Sequence, residues 1–240
     1  MTSMKPYIVP AAKKHTATLI FAHGLGDSGA GWMDLAKNWR GRGVFDHVKF
    51  IFPNAPMLPI TVNSGMTMPA WYDIVTFDDL KEKSHDELGI TKSRDYFNNL
   101  IQQEISEAGI PSDRIVLGGF SQGGAMSLFT GVTTHHRLSG FFGLSAYLLL
   151  GHKLKDLVPA DKPNQNTPVF MGHGESDPLV KFVWGKATAE ELQGLGFKVD
   201  FHGYRGLEHS ASMEELDDLE KFIAARLPEA ATGTGPQSKA

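Results

Sequence analysis

The feature that most constrains this chain is a repeated alternation of short apolar runs with helical patterns. Thr16 to Ala22 (TATLIFA) reads as a strand and Gly31 to Arg42 as a helix; Val48 to Phe52 is a second strand, and Ala70 to Ile74 is expected as a short third. Leu88 to Ala108 places Tyr96, Phe97, Leu100, Ile101 and Ile105 at three-to-four spacing, the signature of a helix with one buried face. Strands are expected at Arg114 to Gly118, Leu138 to Leu144, Pro168 to Met171 and Phe197 to Phe201, and helices at Gln122 to Val132, Val180 to Leu195 and Ser212 to Leu227. Such alternation predicts an α/β fold, a mostly parallel sheet with helices on both faces. No linker-like stretch divides the core, so residues 1–227 are expected to form a single domain, with the first dozen only partly ordered. The segment 228–240, rich in Ala, Gly, Pro and Thr, is expected to be a disordered tail.

In a sheet of this kind, ligands bind beyond the carboxyl ends of the strands, so the polar residues that follow each strand are the ones that matter. The run RIVLG leads into Gly119-Phe120-Ser121-Gln122-Gly123-Gly124, a G-x-S-x-G sequence between a strand and a helix. Average Gly and Ser usage would produce that pattern by chance in roughly one chain in ten of this length; its place at a strand-to-helix turn is what gives it weight. A sharp turn there lifts the Ser121 hydroxyl clear of the sheet, at a helix N-terminus that favours negative charge.

A serine hydroxyl is a weak nucleophile until a base takes its proton. Of the histidines after Ser121, His209 follows the last strand and precedes the last helix, where a base can swing over Ser121. His135 and His136 lie on a turn after a helix, His152 lies in a polar excursion, and His202 shares a strand face with Lys198 and Asp200. The orienting acid should follow the penultimate strand, where the sequence runs HGESDPLV from His173. Asp177 fits best, Glu175 is its nearest rival, and His173 is expected to hold the loop. An oxyanion hole needs two backbone N–H groups: one from Gln122, after the nucleophile, and one from Leu25, in the Gly-rich loop after the first strand. That loop lacks the pattern of a nucleotide-binding turn, and no spacing of histidines and carboxylates suggests a metal. Neither a cofactor nor a metal is therefore expected.

Five segments together resemble the acyl-protein thioesterases, a branch of the carboxylesterase and lysophospholipase family of α/β-hydrolases. They are HGLGDSGAGW from His23, FPNAP from Phe52, MPAWYD from Met68, RIVLGGFSQGGAMSL from Arg114 and HGESDPLV from His173, in an ordered match from about Leu19 to Leu227. The resemblance implies hydrolysis of long-chain acyl thioesters on protein cysteines, with lysophospholipids and simple esters as further substrates. It implies Ser121 as nucleophile, Asp177 as acid, His209 as base, Leu25 and Gln122 as oxyanion donors, and Trp71 as part of the site wall. It also implies a cytoplasmic, and in addition nuclear, location. The chain departs from relatives in three places. It lacks the N-terminal cysteine that some of them acylate, the segment Leu144 to Leu150 has neither the cysteine nor the tryptophan associated with them, and no counterpart to the tail beyond Leu227 is recognised.

Composition narrows the partners. A net charge of −4 gives no general attraction to nucleic acid or anionic lipid. The absence of cysteine excludes disulfides, a cysteine nucleophile and cysteine lipidation of this chain. Met1 to Pro10 has no basic start followed by an apolar run, so no secretory leader is expected, and no apolar stretch is long enough to span a membrane. At most, transient membrane contact is expected. A long acyl chain needs an apolar groove. Ala55 to Ala70, with three methionines and little regular pattern, is a candidate for it, through Leu58, Ile60, Val62, Met57, Met66 and Met68. The competing reading makes it a surface loop whose methionines pack on the core. Two other functions share the pattern: an esterase that prefers oxygen esters, and a non-catalytic lipid-binding protein, which would be expected to lack a triad member.

Overall fold

A computed structural model describes residues 5–76 and 86–229. Strands β1 (Tyr7–Val9) and β2 (Ala17–Ala22) are followed by α1 (Met33–Gly41) and β3 (Val48–Phe52), then by a hairpin of β4 (Met57–Ile60) and β5 (Met66–Pro69). Next come α2 (Glu87–Ser106), β6 (Ile115–Phe120), α3 (Gln122–Thr133), β7 (Gly140–Leu144) and α4 (Gly151–Leu157). The chain then forms β8 (Pro168–Gly174), α5 (Phe182–Gly194), β9 (Lys198–Tyr204) and α6 (Met213–Arg226).

Seven strands form the central sheet in the order β1-β3-β2-β6-β7-β8-β9, all parallel to their neighbours except β1, which pairs antiparallel with β3. Every residue of β2 and of β7 is buried, as strands covered on both faces require. On one face, α2 to α5 pack Phe97, Ile101, Phe129, Leu154 and Leu192 against Ile20, Leu117, Phe141 and Met171. On the other, α1 and α6 pack Trp39, Leu219 and Ile223 against Phe50, Phe142 and Phe170. All twelve residues of α3 are buried, which explains its apolar and small-residue sequence: it lies against the middle of the sheet, with glycines where strands come closest. Gly131 is one of these, since a Cβ there would stand 2.5 Å from the Phe141 ring.

Two expectations need correction. Ala70 to Ile74 is not a strand: Trp71 and Tyr72 are pulled into the core, and the strands lie just before them, in the β4–β5 hairpin. The hairpin was hidden because prolines interrupt its alternation and it pairs only with itself. In the N-terminal segment, Tyr7–Val9 pairs with β3 and completes the edge of the sheet. Helix α4 falls where only a polar excursion was read. Residues 230–240, most of the expected tail, lie outside the described residues, as do residues 1–4.

Candidate active site

The sheet brings its chemistry to one end. β6 is the central strand, and the chain turns from it directly into α3 at Ser121, whose φ of 53° and ψ of −120° lie where side-chain-bearing residues rarely go. The turn is held by a hydrogen bond from Ser121 N–H to Leu144 O at 2.8 Å. It also requires glycine on either side of the serine. A Cβ on Gly119 would lie 2.4 Å from the Ala22 carbonyl oxygen, and one on Gly123 would lie 2.3 Å from that same atom. The sequence G-x-S-x-G is thus a statement about how closely β6, α3 and β2 approach one another.

β8 and β9 deliver the partners. His209, in the loop between β9 and α6, has Nε2 at 2.9 Å from Ser121 Oγ and Nδ1 at 2.7 Å from Asp177 Oδ2. An ionised carboxylate only accepts, so Nδ1 carries the proton and donates it to Asp177, leaving Nε2 free to accept from the serine hydroxyl. Asp177 is anchored by its other oxygen, which accepts from the N–H groups of Leu179 and Val180, both at 2.9 Å. Burial alone would raise the pKa of Asp177. The hydrogen bond and charge of His209, with the two backbone donors, outweigh it and hold the carboxyl below its ordinary range. Asp177 does not open the next helix, as its position suggested: α5 begins five residues later, and the carboxylate instead closes a local turn. Glu175 is exposed, and its Oε1 lies beside β9, 3.1 Å from where a Cβ on Gly203 would stand. His173 is buried and its Nε2 donates to Val180 O at 2.7 Å, so it does hold the loop, and burial lowers its pKa and keeps it neutral.

The loop after β2 faces Ser121. A Cβ on Gly24 would touch the Ser121 Cβ at 3.4 Å, so the loop lies directly over the nucleophile. Leu25 borders the space in front of Ser121, and Gln122 opens α3, where helical N–H groups lack intrahelical partners. Sequence reasoning missed what braces this loop. Buried His23 has Nδ1 2.7 Å from Gly24 O, and its Nε2 accepts from Ala55 N–H, which fixes the neutral tautomer; burial lowers its pKa accordingly. The Trp71 indole N–H donates to His23 O at 2.8 Å, and the Gln122 side chain joins Trp71 N–H to Tyr72 O. The segments HGLGD, FPNAP and WYD therefore belong together through one hydrogen-bonded brace. Trp71 is 1% exposed and part of that brace rather than a wall of the site.

A cavity of about 370 Å³ opens beside Ser121 and His209. Its apolar walls are Leu25, Trp32, Ile74, Phe120, Tyr147, Leu179 and Val180. Tyr147 offers no polar atom to it, because its hydroxyl is paired with that of Tyr72 at 2.6 Å, and burial pushes its pKa up to about 12. The residues expected to form an acyl groove are not in this lining. Ile60 is fully buried, Val62 packs on the core, Leu58 and Met68 are half-buried, and Met57 and Met66 are exposed on the hairpin. The β4–β5 hairpin nevertheless lies beside the loop after β2: Gly26 N–H donates to Pro69 O at 2.8 Å, and a Cβ on Gly26 would stand 3.8 Å from Met68 Sδ. Among the described residues there is no group of His, Asp and Glu that could hold a metal ion, and no helix long and apolar enough to cross a membrane.

A hydroxyl, an imidazole and a buried carboxylate in line, beside an apolar cavity and under a helix N-terminus, is an arrangement suited to acyl transfer. The sequence matches the phospholipase/carboxylesterase profile over residues 4–227. The chain belongs to the phospholipase/carboxylesterase family. Within the family it is 56% identical to acyl-protein thioesterase 1 of Emericella nidulans, with 94% of this chain and 97% of that protein aligned. It is 50% identical to acyl-protein thioesterase 1 of Neurospora crassa, with 98% and 96% aligned. Among solved structures it is similar to acyl-protein thioesterase 2 of Zea mays, with a TM-score of 0.82 at 28% identity over 93% of this chain and 99% of that one. SOBER1 of Arabidopsis thaliana gives a TM-score of 0.79 at 30% identity, covering 88% and 99%. The family's fold, a single-domain α/β-hydrolase, is the one built here from β1 to α6.

Proposed function

We propose that this chain removes long-chain acyl groups from S-acylated protein cysteines, with Ser121 as nucleophile, His209 as base and Asp177 as its orienting acid. The observation that carries this reading is the continuous relay from Ser121 Oγ through His209 to Asp177 at 2.9 and 2.7 Å, opening on an apolar cavity. The thioesterase names of relatives at 50% identity and above support the choice of substrate. His209 takes the Ser121 proton as Oγ attacks the acyl carbonyl, and the N–H groups of Leu25 and Gln122 receive the oxyanion. The carbon–sulfur bond breaks, and the cysteine thiolate leaves with the proton from His209. Water, deprotonated by His209, then cleaves the acyl-serine ester, releasing the fatty acid and restoring Ser121.

The family's name includes oxygen-ester cleavage, and the same relay would perform it. Turnover of a palmitoylated cysteine peptide should be compared with that of the matching serine ester and of a lysophospholipid, while a fluorophosphonate probe reports the active serine. Preference for the thioester peptide is expected. Preference for either oxygen ester would assign the chain to the other branch, and loss of fluorophosphonate labelling from the intact protein would end the hydrolase reading.

A further inference from the structure

Glu215 lies outside the relay, yet it is among the most enclosed ionisable groups described. It sits in the first turn of α6, the helix that follows the His209 loop. Ser212 caps that helix by accepting from Glu215 N–H at 3.1 Å. Ser and Glu three residues apart would normally exchange a second bond, the carboxylate reaching back to the cap. Here the carboxyl is enclosed as it reaches back. Glu215 is 0% exposed, and the backbone of Ser212 is the only polar support its carboxyl has among the described residues. Its carboxyl fills a notch in β8: a Cβ on Gly172 would stand 2.4 Å from Oε1.

That notch is at a sensitive place. Phe120, Leu144 and Gly172 form one row across β6, β7 and β8, and Ser121 hangs from the Leu144 carbonyl in that row. Five residues beyond Gly172 comes Asp177. The Glu215 side chain is therefore the peg between the strand that carries the acid and the helix that ends the loop of the base. We propose that Glu215 is a positioning residue of the triad: its enclosed carboxyl seats α6 on β8 and so fixes His209 against Asp177.

The groups around it favour the neutral form. Asp177 faces it from the loop after β8 and disfavours a second negative charge. Tyr204, at the end of β9, is kept neutral by burial and by Asp218, to which its hydroxyl donates at 3.2 Å. On α6 itself the neighbours are acidic, Glu214, Asp217 and Asp218, with Lys221 committed to Asp218. From the α1 side, Arg42 reaches Glu220. Burial first, and then the charge of Asp177, push the Glu215 carboxyl up to about 8, against one backbone hydrogen bond that lowers it. Once ionised, a carboxylate in this dry notch is relieved most cheaply by moving the first turn of α6 toward water. That motion draws His209 from Asp177.

The inference rests on the triad reading of the preceding section, and the test separates the two. The rate of short-chain ester hydrolysis should be followed from pH 6 to 10 in the intact protein and in Glu215→Gln and Glu215→Ala. In the parent, kcat is expected to fall roughly five-fold or more above pH 8 as the acid ionises. Glu215→Gln, neutral and of the same shape, should match the parent near pH 7 and lose the alkaline fall. Glu215→Ala should lower kcat about ten-fold at every pH with little change in KM, because the base is left poorly seated. An alkaline fall unchanged in Glu215→Gln would overturn the proposal, as would a parent rate that stays level to pH 10. Infrared spectroscopy of the unmutated protein gives a readout independent of activity and of variant folding. A protonated-carboxyl band is expected at pH 7 and should vanish by pH 9.5, and its absence at pH 7 would equally overturn the proposal. Failure of the triad reading would appear elsewhere, as activity surviving in Ser121→Ala.

Discussion

At the scale of single residues, the arrangement separates groups that react from groups that hold. Ser121→Ala is expected to remove nearly all turnover and all fluorophosphonate labelling while leaving the thermal transition close to that of the parent. Asp177→Asn should cost about ten-thousand-fold in kcat, because an amide in place of the carboxylate favours the wrong imidazole tautomer. Glu175→Gln should change the rate by less than about two-fold, since that side chain is exposed and outside the relay. An exchange of these two outcomes in steady-state assays would place the acid at Glu175. Ser121, Asp177 and His209 were legible in the sequence because each follows a strand and the sheet dictates where strand ends meet. Trp71 was placed in the right neighbourhood with the wrong task. Its position in the chain could be read, but its ring is aimed by the indole hydrogen bond to His23 O and its backbone is held by the Gln122 side chain, partners that come from two other segments. The enclosure of Glu215 was illegible for the same reason: its spacing from Ser212 suggests an ordinary helix cap, and only the close approach to Gly172 shuts the carboxyl from water.

Among the elements, β6 and α3 tolerate the least change. Gly123→Ala would force a methyl group to within 2.3 Å of the Ala22 carbonyl, and neither the strand nor the helix can yield without tilting Ser121. A loss of roughly 2–4 kcal/mol is expected, visible as a lower melting temperature together with a greatly reduced labelling rate. The cavity gives an element-scale prediction about substrate. Its wall is shared by the segment after β5, through Ile74, and the segment before α5, through Leu179. Each buried methylene contributes about 0.8 kcal/mol, so Leu179→Asn and Ile74→Asn should depress kcat/KM for a palmitoyl thioester far more than for an acetyl ester. Equal losses on both would mean that the chain lies elsewhere, and polar changes at the hairpin residues Leu58 and Met66 provide the comparison. The parallel strands and their helices could be read from apolar runs because both faces are covered. The β4–β5 hairpin could not, because a two-stranded ribbon with prolines and half-exposed methionines carries neither the period of a strand buried on both faces nor that of a helix.

For the molecule as a whole, two carboxyls beside one another set opposite dependences of stability on pH. Asp177 has its folded pKa lowered, so its contribution is present above the unfolded value and is lost as pH falls toward the folded one. Glu215 has its folded pKa raised from 4.5 to about 8, so the folded state holds a proton that the unfolded chain has given up, and stability declines as pH rises across that interval. Calorimetry is expected to show a melting temperature that drops between pH 5 and pH 8.5 in the parent and a visibly flatter profile in Glu215→Gln; parallel profiles would mean that Glu215 ionises normally. A last consequence concerns the order in which the chain is made. From β6 onward, strands join the sheet in sequence order at one edge, but α6 turns back to cover Phe142 and Phe170. The loop that leads into it carries His209. A nascent polypeptide that has emerged only as far as Tyr204 thus has Ser121 and Asp177 but neither His209 nor the seal over that apolar face. Such a fragment is expected to aggregate and to resist fluorophosphonate labelling, which light scattering and gel fluorescence would check. Covering that apolar face and bringing His209 to Ser121 are therefore one event, and a chain that stops short of α6 has neither.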